Sequence, residues 1–216
     1  MIEAVVFDLD GVLIQTEELW DEVREGLARE RGGRYDEEAQ RAMMGMSSPE
    51  WSRYMHEHVG LPDSPEEIAA EVVRRMETKY RERLPLIDGA AEAVARVGAR
   101  WSLGVASSSN RELIDLALEL SGLERLFQAT VSSEEVERGK PAPDVYLEAC
   151  RRLGVDAPRA AAVEDSHAGI RSAKAAAMRV LAIPNPSFPP DEEALRQADV
   201  VLRSLAELTE AAVEGA

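Results

Sequence analysis

Two carboxylates, Asp8 and Asp10, follow a short apolar run that begins at Ala4. Residues two apart in an extended segment project to the same side, so we expect both side chains to leave the end of a buried strand together. Neighbouring carboxylates repel each other unless a cation lies between them or one of them is protonated, and oxygen-rich sites of this kind suit Mg²⁺. An Asp-Leu-Asp-Gly run is also typical of a simple turn. The local pattern alone leaves both interpretations open.

A second acidic pair, Glu164 and Asp165, follows another apolar run at 161–163. Taken alone, Asp165 or Ser166 could cap the helix that comes next. Four carboxylates at two strand ends are harder to explain as helix caps, whereas a metal ion would offset their mutual repulsion. The two acidic pairs together therefore favour a cation site.

Two further segments carry groups that can bind a phosphate. Ser107 and Ser108 follow a predicted strand and precede Asn110 at a helix start. A hydroxyl beside free helix N–H groups can bind an anion, and capping of that helix is the alternative. Lys140 precedes Pro141, which suits the first turn of a helix. An ammonium group there is unfavourable unless an anion stands opposite, so Lys140 is interpreted either as an anion-binding lysine or as a solvated surface lysine.

The elements that must position these segments alternate along the chain. Apolar runs of strand length are separated by helical patterns of about 10 to 15 residues, which is typical of βαβ units and a parallel sheet. The predicted strands span 4–9, 101–106, 129–131, 161–164, 180–183 and 200–202, and the predicted helices include 111–120 and 141–153. Right-handed crossovers place the carboxyl ends of such strands along one edge. We therefore predict an α/β fold with a doubly wound parallel sheet and a site at that edge.

The segment 16–84 departs from this alternation. Apolar residues recur at four-residue spacing within 19–27 and within 68–80, as expected of amphipathic helices. Glycine and proline residues interrupt the pattern between those stretches. We predict a small all-helical domain at 16–84, inserted after the first strand of a core domain that consists of 1–15 and 85–216.

The composition of the chain limits the binding partners and the cellular compartment that we expect. The 216 residues carry a formal net charge of −16, with no basic stripe, so we expect no nucleic-acid partner. No apolar run approaches the roughly 20 residues of a membrane helix, and the first residues lack the basic region of a signal peptide. The lone Cys150 cannot form an internal disulfide. We expect a cytoplasmic monomer with no membrane partner.

In this order, the four segments resemble the haloacid dehalogenase (HAD) superfamily of phosphohydrolases over almost the whole chain. The matching motifs are Phe-Asp-Leu-Asp-Gly-Val-Leu at 7–13, Val-Ala-Ser at 105–107, Gly-Lys-Pro-Ala-Pro-Asp at 139–144 and Val-Glu-Asp-Ser-His-Ala-Gly at 163–169. The helical insert resembles the cap of the branch that contains phosphoglycolate phosphatase and β-phosphoglucomutase. The resemblance implies a Rossmann-like core, a helical cap and a Mg²⁺-dependent phosphatase that acts on a small phosphomonoester, such as a sugar phosphate or a phosphoglycolate-like compound.

The resemblance also implies a role for each motif. Asp8 would be the nucleophile that forms an aspartyl-phosphate, and Asp10 the general acid and base, with its backbone carbonyl on the metal. Ser107, with Ser108, and Lys140 would hold the transferring phosphoryl group. The implied metal ligands are Asp8, Asp10, Asp165 and, directly or through water, Glu164.

Two departures from the family pattern bear on the cap. Gln15 stands where relatives usually have an acid near the cap hinge, which affects cap positioning rather than chemistry. The sugar-phosphate mutases of this branch use a His in the first cap helix and an Arg in the cap loop, where this chain has Trp20 and Ser48. We therefore expect a phosphatase rather than a mutase. The residues expected to contact the leaving group are Gly45, Met46, Ser47, Ser48, Trp20 and Asn110.

Three other interpretations are disfavoured. A haloacid dehalogenase needs no metal and typically lacks the acid found here at Asp10. A phosphonatase requires a Schiff-base lysine in the cap, where the only lysine, Lys79, lies near the end of the insert. A binding protein with an inactive phosphatase fold usually lacks the nucleophile, the acid or the lysine, and this chain has all three.

Overall fold

The computed structural model describes residues 1–44, 46–185 and 189–215, and six strands within them form one sheet. The strands are β1 (Ala4–Phe7), β2 (Ser102–Ser107), β3 (Ala129–Ser132), β4 (Ala160–Glu164), β5 (Arg179–Ala182) and β6 (Val200–Val201). Every neighbouring pair in the sheet is parallel. The predicted α/β fold with a parallel sheet is therefore confirmed.

The strand order, β3-β2-β1-β4-β5-β6, reverses direction at β1. Strand β1 pairs with β2 on one side and with β4 on the other, so that Val5 is aligned with both Leu103 and Ala161. The strands that follow β1 in the sequence are first added on one side of it, as β2 and β3, and then on the other side, as β4, β5 and β6. Open α/β sheets bind their ligands at such a reversal, in the crevice beyond the carboxyl ends of the strands.

Helices cover both faces of the sheet. The α-helices of the described residues are α1 (Glu17–Arg31), α2 (Glu37–Met43), α3 (Ser48–Tyr54), α4 (Pro65–Glu82), α5 (Ala90–Gly98), α6 (Arg111–Ser121), α7 (Asp144–Leu153), α8 (His167–Ala175), α9 (Glu192–Leu195) and α10 (Glu210–Glu214). Val5 and Phe7 pack into one buried apolar cluster with α5 and α6, whereas Ala4 and Val6 pack into a second cluster with α7 and α8. Burial on both faces explains the near-continuous apolar runs of the strands.

The described elements between Thr16 and Arg83 are all helical. Helix α3 continues into a five-residue π-helix, Met55–Val59. Helix α4 begins with a capping box, in which Ser64 and Glu67 bond each other's backbone N–H groups. Buried residues of α1 and α4 belong to the same apolar cluster as one face of the sheet. The helical segment therefore packs directly on the α/β part of the chain.

The predicted strand over 4–9 was too long, because β1 ends at Phe7. Beyond it the chain turns, and the Gly11 N–H donates to the Ile14 carbonyl. Gly11 has a φ of +81°, a backbone conformation that glycine adopts without steric cost. Gly11 therefore turns the chain just beyond the two acidic residues, and Asp8, whose N–H still donates to the Val163 carbonyl of β4 at 3.0 Å, lies between the strand and the turn.

The predicted helix over 141–153 begins later, at Asp144. Ala142 precedes Pro143, and a residue before proline is disfavoured in the helical conformation. Consequently Lys140 does not stand at the first turn of a helix, and the unfavourable dipole contact expected from the sequence does not arise.

No helix within the described ranges is both long and apolar enough to cross a membrane.

Substituting Ile170 with alanine tests the second apolar cluster. The Ile170 side chain of α8 is fully buried there, and Ile170→Ala is expected to lower the free energy of unfolding by about 2 to 5 kcal/mol through lost burial and a residual cavity. Urea denaturation followed by circular dichroism measures the change. The matched control is Arg171→Ala, at an exposed neighbour in the same helix, with an expected change within about 0.5 kcal/mol. Equal effects of the two substitutions would contradict this packing.

Candidate active site

Side chains from four chain segments meet at the carboxyl edge of the sheet. Asp8 follows β1, Ser107 ends β2, Glu164 ends β4, and Lys140 comes from the loop before α7. Because β2 and β4 flank β1, these three strand ends are neighbours. The edge predicted from the sequence is therefore where the polar groups converge.

The ammonium group of Lys140 lies between two buried carboxylates. Its Nζ atom is 2.9 Å from Asp8 Oδ1 and 2.6 Å from Glu164 Oε1. Asp8 and Lys140 are each 7% exposed, and Glu164 is 0% exposed. Buried charges persist in proteins when they are paired in this way. The structure thus excludes a solvated surface lysine and makes Lys140 an anion-bound one.

Hydrogen bonds hold both oxygens of the Glu164 carboxylate. Oε1 also accepts from the Tyr146 hydroxyl at 2.6 Å, and Oε2 accepts from the Asp165 N–H at 3.2 Å and the Ser166 hydroxyl at 3.1 Å. Gly169 leaves room for this group, since a Cβ there would lie 1.8 Å from Oε1. The surroundings therefore fix the orientation of Glu164, and Glu164 in turn positions Lys140.

The cluster has more negative than positive charge when fully ionised. Burial and the charge of Glu164 raise the pKa of Asp8 to about 8, although Lys140 acts to lower it. Burial acts to lower the pKa of Lys140, but the carboxylates of Asp8 and Glu164 raise it above its ordinary value. Burial and the same neighbouring acids raise the pKa of Asp165 well above its ordinary range. A further cation would stabilise the ionised carboxylates of Asp8, Glu164 and Asp165.

Asp8, Glu164 and Asp165 form an acidic group that fits a metal ion. Their ligand atoms lie within 4.8 Å of one another. Asp165 Oδ1 is buried and has no hydrogen-bond partner among the described residues. At Gly11 a Cβ would lie 2.0 Å from Asp165 Oδ2, so the glycine makes room for this carboxylate. An all-oxygen set with an unsatisfied buried oxygen and excess negative charge suits a hard divalent cation such as Mg²⁺.

The Asp10 carboxylate is bound by hydroxyl and indole groups. Oδ1 accepts from the Thr16 hydroxyl and, at 3.4 Å, from the Trp20 indole, and Oδ2 accepts from the Ser109 hydroxyl at 2.7 Å. Strand β1 ends before both Asp8 and Asp10, yet both side chains border the same open space. Among the described residues the two carboxylates have different hydrogen-bond partners.

The two predicted phosphate-binding serines differ in exposure. Ser107 is fully buried, accepts from the Ser109 N–H at 3.0 Å and lies 3.4 Å from Asp10 Oδ2. Ser108 is half-buried and borders the open space above the cluster. Asn110 stands immediately before α6, so the predicted helix start is confirmed.

A buried hydrogen bond joins the helical segment to the α/β part beside the site. The Ser48 hydroxyl at the start of α3 donates to Asn110 Oδ1 at 2.6 Å, and both residues are buried. The Asn110 amide in turn donates to Glu134 Oε1 at 2.7 Å. The structure thus brings together two residues that the sequence analysis placed near the leaving group.

The other predicted leaving-group residues have mixed positions. Met46 and Trp20 line one cavity together. The Ser47 hydroxyl donates to Glu50 at 2.6 Å, a bond at the start of α3 rather than one directed to a ligand. Gly45 lies outside the described residues.

Two cavities open side by side at the site. The core cavity is lined by Asp8, Lys140 and Asp165 among others. The cap cavity is lined by Trp20, Arg24, Met46, Ser48 and Trp51 among others. Residues that border both are Asp10, Glu17, Met44 and Ser108. A ligand with its phosphate in the core cavity can therefore extend into the cap cavity.

The sequence analysis missed several side chains at the site. Thr16 and Ser109 bind Asp10 but carry no pattern that distinguishes them from ordinary turn residues. Tyr146 lies within the predicted helix at 141–153, where its spacing resembles that of a core residue, and its hydroxyl donates to Glu164. Arg24 did carry a signal, since it lies one helical turn after Trp20 on the apolar side of α1.

Comparison with known proteins agrees with this geometry. Residues 5–183 match the model of the haloacid dehalogenase-like hydrolase family. Hexitol phosphatase B of Escherichia coli K12 is 35% identical, over 96% of this chain and 95% of the relative. Validoxylamine A 7'-phosphate phosphatase of Streptomyces hygroscopicus subsp. limoneus is 33% identical, over 96% of each. A crystal structure of a CbbY variant from Rhodobacter sphaeroides with xylulose-(1,5)bisphosphate has a TM-score of 0.88 at 29% identity, covering 99% of each chain.

The family match and the phosphatase relatives, together with this site, define the class of the protein as a phosphohydrolase. This chain belongs to the haloacid dehalogenase-like hydrolase family. It is an enzyme of the phosphatase type, a hydrolase of phosphoric monoesters.

Removing the ammonium group tests the electrostatics of the cluster without reference to activity. Lys140→Met leaves the buried carboxylates of Asp8 and Glu164 without their cation, so the free energy of unfolding should fall by about 3 to 5 kcal/mol. The matched control is Lys174→Met, at a partly exposed lysine paired with Asp199, where the expected loss is about 1 kcal/mol or less. Urea denaturation at neutral pH compares the two. A similar small loss in both variants would contradict a buried ion pair at Lys140.

Proposed function

We propose that this enzyme is a Mg²⁺-dependent phosphatase that hydrolyses a small phosphomonoester, a sugar phosphate or a phosphoglycolate-like compound, through an aspartyl-phosphate on Asp8. In this proposal residues 1–15 and 85–216 form the catalytic domain, and residues 16–84 form the cap. The observation that carries it is the buried contact between Asp8 and Lys140 in the same core cavity as Asp165. The proposed nucleophile Asp8, the cation of Lys140 and the proposed metal ligand Asp165 thus border one space.

In the first step a carboxylate oxygen of Asp8 attacks the phosphorus, and the bond from phosphorus to the leaving oxygen breaks. Asp10 gives the leaving oxygen a proton, a role supported by its place between the two cavities. Covalent catalysis of this kind divides one slow displacement into two easier ones. Lys140 holds Asp8 in place and balances negative charge on the phosphoryl oxygens.

In the second step water attacks the phosphorus, and the bond between phosphorus and Asp8 breaks. Asp10, now ionised, takes the proton of the attacking water, so both aspartates return to their starting state. Ser107 and Ser108 orient the phosphoryl group from the end of β2. Because Ser48 is bonded to Asn110, the helical segment covers the site and limits access of other water molecules.

A bound Mg²⁺ would supply charge neutralisation on the phosphoryl oxygens. Asp8 and Asp165 would hold it together with the backbone carbonyl of Asp10. Glu164 would act through water, because both of its oxygens already accept hydrogen bonds.

Replacing the proposed nucleophile should abolish turnover. Asp8→Asn keeps the size of the side chain but removes the attacking carboxylate, so the turnover rate with p-nitrophenyl phosphate should fall by at least about 10³-fold. Circular dichroism should show an unchanged fold. Asp115→Asn, on the exposed side of α6, is the matched control and should hydrolyse at the wild-type rate. An Asp8→Asn variant with wild-type turnover would falsify the assignment of the nucleophile.

Magnesium should stabilise the folded protein through Asp165. A ligand at 100 times its dissociation constant adds about 2.7 kcal/mol to folding stability, so saturating Mg²⁺ should raise the melting temperature of the wild type by several degrees. Asp165→Asn should lose this response, whereas Asp115→Asn should keep it. Thermal unfolding by differential scanning fluorimetry, with and without EDTA, measures the shift. An undiminished Mg²⁺ response in Asp165→Asn would place the metal elsewhere.

A further inference from the structure

Arg24 is a buried cation that no described residue neutralises by direct contact. The residue is 8% exposed, and its Nε atom is buried without a hydrogen-bond partner among the described residues. Glu17, Asp21 and Asp10 act on it electrostatically, yet none of these three forms an ion pair with it. A buried guanidinium without acceptors is costly. A group with this many unused donors is therefore suited to a ligand.

Two tryptophan rings hold the guanidinium in place. Its central carbon lies 4.8 Å from the ring centroid of Trp20 and 4.9 Å from that of Trp51. The ring centroids are 6.0 Å apart. Contact with aromatic faces stabilises a cation but does not use its N–H donors. The rings thus fix the position of Arg24 and leave its hydrogen-bonding capacity available.

The cap cavity is the space that Arg24 and both tryptophans border. Asp10 and Ser108 border this cavity as well as the core cavity. A monoester with its phosphate beside Asp8 would therefore place its leaving group next to Arg24.

The charges around Arg24 select among leaving groups. Glu17 and Asp10 border the same cavity, so a second anionic group near Arg24 would also face the Glu17 carboxylate, whose ionised form repels it, and the Asp10 carboxyl, which the proposed first step requires as a proton donor. A hydroxyl group is neutral, accepts a hydrogen bond from the guanidinium and donates one to a carboxylate. Arg24 beside Glu17 and Asp10 is thus complementary to a chain or ring that carries several hydroxyl groups.

We propose that Arg24 is a specificity-determining residue, which donates hydrogen bonds to hydroxyl groups on the leaving group of a polyhydroxylated phosphomonoester. This inference rests on the proposed function, because that function places the phosphate in the core cavity. It assigns substrate selection to α1, in addition to the loop before α3.

Binding to an inactive variant tests the inference separately from turnover. The background is Asp8→Asn, and isothermal titration calorimetry compares it with the double variant Asp8→Asn/Arg24→Met. Three probes are compared. The leaving group of a hexitol monophosphate carries several hydroxyl groups, that of phenyl phosphate carries no further polar group, and that of phosphoglycolate carries a second anionic group.

The hexitol monophosphate should bind about 10- to 100-fold more weakly when Arg24 is replaced, as expected for lost hydrogen bonds to a charged group. For phenyl phosphate and for phosphoglycolate, the fold-loss of affinity should be at least about tenfold smaller than for the hexitol monophosphate. Equal losses for all three probes would mean that Arg24 only maintains the packing of the cap, and a greater loss for phosphoglycolate would make it an anion anchor. Either result overturns the proposal, as does unchanged hexitol phosphate binding.

Two further variants separate a ligand contact from a general effect on the helix. Arg29→Met removes an exposed arginine of the same helix, paired with Glu25, and should leave all three affinities unchanged. Arg24→Lys keeps the charge but loses the planar fork of donors, so its affinity for hexitol monophosphate should lie between that of the Asp8→Asn background and that of the Arg24→Met variant. Wild-type turnover is measured in parallel: absence of hydrolysis with every monoester rejects the proposed function, whereas hydrolysis without an Arg24 effect rejects only this inference.

Discussion

The burial of Asp8 and Glu164 around a single ammonium group is the constraint on which the site depends. Both acids lie at the ends of adjacent strands, so the pairing of β1 with β4 brings their charges together. Lys140 offsets their repulsion, and the Tyr146 hydroxyl satisfies Glu164 further. Space is equally limited, because a side chain at Gly11 or Gly169 would overlap a carboxylate. A buried ionic cluster therefore ties together two strands, a loop and a helix.

Much of the fold could be predicted from the sequence, because burial on both faces leaves a local trace. Strands β1, β2 and β4 appear as apolar runs, since helices cover both sides of the sheet. The acidic pairs could also be located, because they follow those runs directly, and Lys140 stood out because it precedes Pro141. Boundaries were less predictable: the turn at Gly11 and the proline pair before α7 shortened two predicted elements. In each case the backbone preference of particular residues, glycine in a turn or proline before a helix, set the boundary rather than the apolar pattern.

The partners of the polar side chains could not be predicted, because they come either from distant parts of the chain or from turns without a distinctive pattern. Asp10 is bonded to Ser109 after β2, a contact that arises only when β1 and β2 pair, and to Thr16 before α1. Neither periodicity nor spacing encodes such contacts. Arg24 is different, since a charged residue on the apolar side of α1 is itself anomalous. Its position between two tryptophans explains how that side of the helix accommodates a cation.

In the proposed mechanism, the division of the site between strand ends and helices separates the reaction from substrate selection. Apart from Lys140, the residues proposed to surround the phosphoryl group come from the ends of β1, β2 and β4, where the sheet fixes their geometry. The cap cavity is lined largely by α1, α2, α3 and the residues next to them, so substitutions there can alter its shape without disturbing the ionic cluster. Asp10 belongs to both, because it borders the two cavities and accepts a bond from Trp20 of α1. The orientation of Trp20 is therefore physically coupled to the proposed general acid, and in the proposed mechanism the fit of the leaving group determines rate as well as binding.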